Sequence, residues 1–161
     1  MTLDHKDKQM CYMVHISTDS STDLTDRNTE LVRFEKVTNP ESDPCLSVLE
    51  FPNKWEVGSK TGCGCTFRHL YVESVELGFS KPEDWYQEEK DELDATRQLY
   101  QALNDLLESG CQVDLVDRWE GAAPDDITTI KVSLDEVSEE AFRMFEGHKF
   151  KLKKTKIQPH R

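Results

Sequence analysis

The sequence lacks any long apolar run. No stretch of its 161 residues approaches the roughly 20 consecutive apolar positions that span a bilayer, and Met1-Thr2-Leu3-Asp4-His5-Lys6-Asp7 has no apolar signal core. Neither a membrane span nor a secretory signal is expected. Basic charge is also scarce: 20 Lys and Arg against 32 Asp and Glu give a formal net charge of -12. That balance repels phosphate backbones and argues against nucleic acid as a partner. No Walker loop, no paired C-x-x-C and no internal repeat is present, so the chemistry that those motifs announce is not signalled here. The cysteines are odd in number, 5 in all. With no secretory signal expected, this points to reduced thiols in the cytoplasm rather than to a disulfide framework.

What remains is one domain's length of acidic chain. The charge is uneven: residues 148–161 carry six basic residues and no acid, a local +6 set against -18 on residues 1–147. Lys149, Lys151 and Lys153 alternate with Phe150 and Leu152, the pattern of a half-buried or edge strand with a solvated lysine face. Residues 1–10 read as a loose end, 11–154 as a single domain and 155–161 as a tail.

Along the chain, Cys11–Thr18 reads as an interior strand with Tyr12, Val14 and Ile16 on one face and Met13, His15 and Ser17 on the other. Strands are also expected at 30–37, 46–51, 54–59, 63–72, 112–119, 127–132 and 150–152, with a hairpin turning at 60–62. The spacing predicts a long helix over 82–109, opened by a Ser80/Glu83 capping box and closed by Gly110. It predicts a second over 134–146, opened by Ser133/Glu136 and closed by Gly147. Together these give an α+β fold: a mostly antiparallel sheet covered by two helices.

The densest group of chemically capable residues is Gly62-Cys63-Gly64-Cys65-Thr66-Phe67-Arg68-His69. On an extended strand Cys63, Cys65, Phe67 and His69 share a face, and cysteines at i and i+2 have Cα atoms about 6.6 Å apart, close enough for both thiolates to reach one metal ion such as zinc. His69 lies about 13 Å along a straight strand from Cys65 and joins only if the chain bends. Further ligands would come from elsewhere, for example Cys11 and His15 on a neighbouring strand, or Cys45. The same residues also describe a reactive thiol pair, Cys63 attacking and Cys65 resolving, tuned by Arg68 or His69. The bland alternative is two small core cysteines beside turn glycines.

Two other stretches carry acids. Asp19 to Glu30 nearly matches a calcium loop through Asp19, Ser21, Asp23 and Glu30, but Leu24 stands where the turn needs glycine and Arg27 replaces a ligand. Glu83 to Asp94 places seven acids at the start of the long helix. Glu88, Glu89, Asp91 and Glu92 there offer a docking face for a basic protein partner, although the helix dipole alone favours acids at that end. Trp119 ends a strand at a loop where a ligand pocket can open.

At Tyr12-Met13-Val14-His15-Ile16-Ser17-Thr18 and across Trp55–His69 the chain resembles an uncharacterised family of bacterial hypothetical proteins with no known activity. The resemblance implies a bacterial cytoplasmic origin and carries no functional residue across.

Overall fold

A computed structural model describes residues 11–82 and 88–155. Its centre is a six-stranded sheet built from β1 (Tyr12–Thr18), β2 (Val32–Lys36), β3 (Asn53–Ser59), β5 (Val113–Trp119), β6 (Thr128–Ser133) and β8 (His148–Lys153), in the order β2-β3-β1-β5-β8-β6. All neighbours are antiparallel except β6 and β8. Two short strands, β4 (His69–Leu70) and β7 (Met144–Phe145), pair in parallel as a separate ribbon. Among the described residues the α-helix is α1 (Lys90–Glu108). The fold is therefore α+β with a mostly antiparallel sheet.

Strand periodicity decides the layers. The β1 face that carries Val14 and Ile16 joins Val57, Leu115 and Phe150 in one core with Ala95, Leu99, Ala102 and Leu103 of α1. These α1 positions fall at helical spacing, so a single stripe of the helix is buried. The helix ends as its sequence requires. Gly110 has φ +87°, and the amides of Gly110 and Cys111 return to the carbonyls of Leu107 and Leu106, both at 3.0 Å.

The opposite face of the sheet is polar yet buried. His15, Ser17, Asp114, Arg118 and Lys149 lie under the segment 37–51, with a small apolar cluster of Leu46, Leu49 and Val116. Charge pairing holds that segment down. Arg118 binds Asp43, Lys149 Nζ donates to the Val48 carbonyl at 2.6 Å and to Glu50 Oε2 at 2.7 Å, and the Glu50 amide donates to Asp114 Oδ2 at 2.9 Å.

Several expectations are corrected. The long helix starts at Lys90 rather than at 82; Ser80 is in coil, Glu83 lies outside the described residues, and the amide of Glu89 is instead bound by Glu92 Oε1 at 3.0 Å. The second helix does not form. Leu134–Glu136 is a 3-10 turn, and the Met144 and Glu146 amides donate to the carbonyls of Arg68 and Leu70 as β7 pairs with β4. Phe142, Arg143, Met144 and Phe145 are buried in succession, which one stripe of a surface helix cannot achieve. Residues 44–48 form a 3-10 turn rather than a strand, with Pro44 in its first turn and Asp43 Oδ1 accepting from the Cys45 amide at 3.1 Å. β8 is not an edge strand: it lies between β5 and β6, and its Lys149 is buried. No helix among the described residues is long and apolar enough to cross a membrane.

Candidate metal centre

The chain turns at 60–62 as expected, but no β-hairpin forms, because the residues after the turn are not a strand paired with β3. After β3 the chain turns back through Gly62, whose φ of +93° suits glycine, with the Gly62 amide donating to the Ser59 carbonyl at 2.8 Å. Ser59 then clamps the next residues. Its amide and hydroxyl both donate to the Cys63 carbonyl, at 2.6 and 2.5 Å, and its oxygen accepts from the Thr66 amide at 3.1 Å. Gly64–Thr66 is one 3-10 turn. A Cβ at Gly64 would lie 2.7 Å from Val14 Cγ2 and 3.1 Å from the Tyr12 carbonyl oxygen, so this position admits only glycine without a shift of β1.

That close approach brings the turn against the start of β1, where Cys11 stands. The Glu120 amide donates to the Cys11 carbonyl at 2.9 Å, and the Tyr12 amide donates to Cys65 Sγ at 3.4 Å. The sulfur atoms of Cys11, Cys63 and Cys65 all lie within 4.8 Å of one another, with Cys63 and Cys65 at 3.2 Å. Around a tetrahedral zinc with Zn–S near 2.3 Å, sulfurs stand about 3.8 Å apart. Cys63 and Cys65 thus need to part by about 0.6 Å, and the three thiols only a small rearrangement, to embrace an ion. Cys65 is exposed, while Cys11 and Cys63 are half-buried. The cluster is a corner of the molecule that opens to solvent on one side.

The three thiols are not equivalent. Cys11 is pushed up to about 12, first by its hydrogen bond to Cys63 and then by burial. Burial also raises Cys65. At Cys63 burial again opposes the thiolate, but hydrogen bonds from Cys11, the Cys65 amide, the Cys65 thiol and Thr61 outweigh it and bring Cys63 below its ordinary value. Proton loss from the cluster therefore begins at Cys63.

His69 does not join the three sulfurs. The 3-10 turn bends the chain, but the imidazole is drawn into the interior: Nδ1 lies 2.8 Å from Asp117 Oδ2 and Nε2 lies 2.6 Å from the Gly64 carbonyl oxygen. Both neighbours are acceptors, so the doubly protonated ring is the form that both contacts favour. Burial disfavours that charge, but Asp117 outweighs it and His69 is raised. Tyr12 stacks on the ring at 4.3 Å and on Trp119 at 4.4 Å. His69 holds the carbonyl between the two cysteines and leaves the sulfurs to others.

Arg68 does not tune the thiols either. Its Nε donates to both Glu88 carboxylate oxygens at 2.9 and 3.0 Å, and its remaining nitrogens bind the carbonyls of Ser80, Glu140 and Phe142. This accounts for Glu88, whose side chain is buried. Of the other expected docking residues, Asp91 pairs with Lys60 at 2.8 Å, while Glu89 and Glu92 cap the helix. The acidic run is largely occupied within the molecule, and Glu83 and Asp84 fall outside the described residues.

The remaining candidates separate. His15 is buried on the other face of the sheet, and Cys45 is buried within the 37–51 segment, in the 3-10 turn Pro44–Val48. Asp19 accepts from Gln112, and Asp23 caps the 3-10 turn Leu24–Arg27, so neither is arranged for calcium. A groove of about 570 Å³ does open beside Trp119, between Glu120, Asp126, Ile127 and Glu146. A larger one of about 830 Å³ lies between Glu50, Cys111, Lys151 and Lys153, and none of the three thiols lines it.

No protein-family model matches the chain, and no curated protein or solved structure is significantly similar to it.

Proposed function

We propose that this protein binds a thiophilic metal ion, zinc in the first instance, through the thiolates of Cys11, Cys63 and Cys65. The observation that carries the reading is the convergence of three sulfurs within 4.8 Å at a solvent-facing corner, supplied by two segments distant in sequence. Chance burial of cysteines does not require Gly64 to sit against β1 or the Tyr12 amide to face Cys65. Amide and hydroxyl donors around the sulfurs suit a cluster that carries negative charge when metallated. Three protein ligands leave a fourth position for water or an exogenous group, the arrangement of an open zinc site.

The test is the metal content of protein purified without an affinity tag, with the single variants Cys11→Ser, Cys63→Ser and Cys65→Ser beside it. The reading expects one ion per chain, and zinc affinity weaker by at least about 100-fold in each variant, since second-shell changes alone cost 10–100-fold. One variant that binds as the parent does would remove that residue from the site. Absence of stoichiometric metal on reduced protein would refute the reading.

A further inference from the structure

We propose that Cys63 and Cys65 also form a redox dithiol, which a hydroperoxide closes to an intramolecular disulfide. The proposal uses the same corner of the molecule as the metal reading but requires no ion. Two residues separated by one glycine have Cα atoms within about 7 Å of each other, inside the range that a disulfide bridges. Most such pairs still point their side chains apart. Here the sulfurs face each other at 3.2 Å, and contact needs only about 1.2 Å of further approach.

The backbone that presents them is fixed on both sides. The Ser59 clamp holds the Cys63 carbonyl and the Thr66 amide, and Gly64 is wedged against Val14 and Tyr12. Pre-positioned groups react as if at high concentration, so the facing pair at 3.2 Å closes ahead of thiols held farther off. Cys45 is fully buried, and the Cys11 sulfur, within 4.8 Å of both, is the nearby competitor for Cys63. Cys65 is exposed, which admits a small peroxide to the turn, and the Thr61 hydroxyl lies 3.8 Å from Cys63 Sγ on the same surface.

The steps balance. Cys63 sulfur attacks one peroxide oxygen; the S–O bond forms, the O–O bond breaks, and the leaving oxygen takes a proton to depart as an alcohol or, from hydrogen peroxide, as water. Cys63 is now a sulfenic acid, oxidised by two electrons while the peroxide is reduced by two. Cys65 sulfur then attacks Cys63 sulfur; the S–S bond forms, the S–O bond breaks, and hydroxide leaves with the Cys65 proton as water. A disulfide has no thiolates to offer, so an ion bound at the corner is released when it forms.

The experiment treats reduced, metal-free full-length protein with a few equivalents of hydrogen peroxide, blocks the remaining thiols with a maleimide under denaturing conditions, and measures intact and tryptic masses. The chain carries Lys60 and Arg68 on either side of the pair, so a single tryptic peptide contains both cysteines. The proposal expects that peptide to lose about 2 Da, one H2 per disulfide, with the other three cysteines alkylated and full reversal by a dithiol reductant. In the double variant Cys11→Ser/Cys65→Ser a 1,3-dione should instead trap the sulfenic acid at Cys63. Alkylation of both cysteines after peroxide, or a dominant link from Cys11 to either one, would overturn the proposal. Wild-type protein gives this answer without any variant having to fold. Zinc retention by reduced protein is measured separately: a disulfide without zinc binding sinks only the metal reading, and zinc binding without a disulfide sinks only this one.

Discussion

Gly64 is the residue on which the candidate site turns. Its missing side chain lets the 3-10 turn rest on β1, which is what brings Cys63 and Cys65 to Cys11. Gly64→Ala places a methyl against Val14 and against the Tyr12 carbonyl, and only the first of these is a side chain able to yield. Overpacking of this kind costs about 1–3 kcal/mol, so the urea midpoint should fall while the slope is kept. Zinc affinity should fall with it, because the turn must lift and carry two sulfurs away from the third. Unchanged stability and zinc binding in Gly64→Ala would mean that the turn has other ways to settle. His69 works on the same glycine from the other side, through the 2.6 Å contact to its carbonyl, and is therefore a positioning residue rather than a ligand.

At the scale of elements, strands with clean alternation were legible in the sequence and those fixed by distant partners were not. Cys11–Thr18 was read as an interior strand with its two faces assigned, and β1 has those faces and two neighbours. The end of the long helix was legible because Gly110 alone supplies the left-handed residue there. Its start was not: Ser80 and Pro82 form an acceptable local signal, yet the Ser80 carbonyl and amide are engaged by Arg68 and Ala141. Residues 63–72 alternate like a strand but bend at Gly64, because pairing with β1 at that point is replaced by the wedge of glycine against it. Cys63 and Cys65 are legible as a pair from their spacing; that Cys11 rather than Cys45 or His15 meets them is not, since only tertiary pairing shows which distant residue arrives. β8 shows the same limit. The alternating lysines read as solvated, but Lys149 faces the charged underside of the sheet, where Glu50 and Asp114 lie at 2.7 and 3.5 Å. Lys149→Met should therefore destabilise the fold by about 3–5 kcal/mol in chemical denaturation, the usual result of stripping the partner from a buried charge. A loss below about 1 kcal/mol, typical of an exposed pair, would place Lys149 in solvent after all.

Over the whole molecule, the sheet has one apolar face under α1 and one polar face under the 37–51 segment, and the polar face makes stability depend on pH. Burial, then the neighbouring Arg118 charge, lowers His15 from 6.5 to about 4, against a smaller opposing effect of Asp43. Between those values the unfolded chain binds a proton at His15 and the folded chain does not, so stability falls as pH drops from 6.5 to 4 and this contribution is flat outside that window. The difference amounts to about 3 kcal/mol at 1.36 kcal/mol per pKa unit. His15→Gln should remove that part of the acid loss, as read from denaturation curves at several pH values; identical slopes in parent and variant would refute it. His69 contributes with the opposite sign, because its raised value stabilises the fold at low pH and is lost as pH rises through it. The central claim concerns the other face, where three cysteines from two segments meet. Zinc K-edge X-ray absorption on the one-to-one complex tests it most directly. The account predicts a first shell of three sulfurs near 2.3 Å with one lighter atom, and a shell made mainly of nitrogen and oxygen near 2.0–2.1 Å would contradict it.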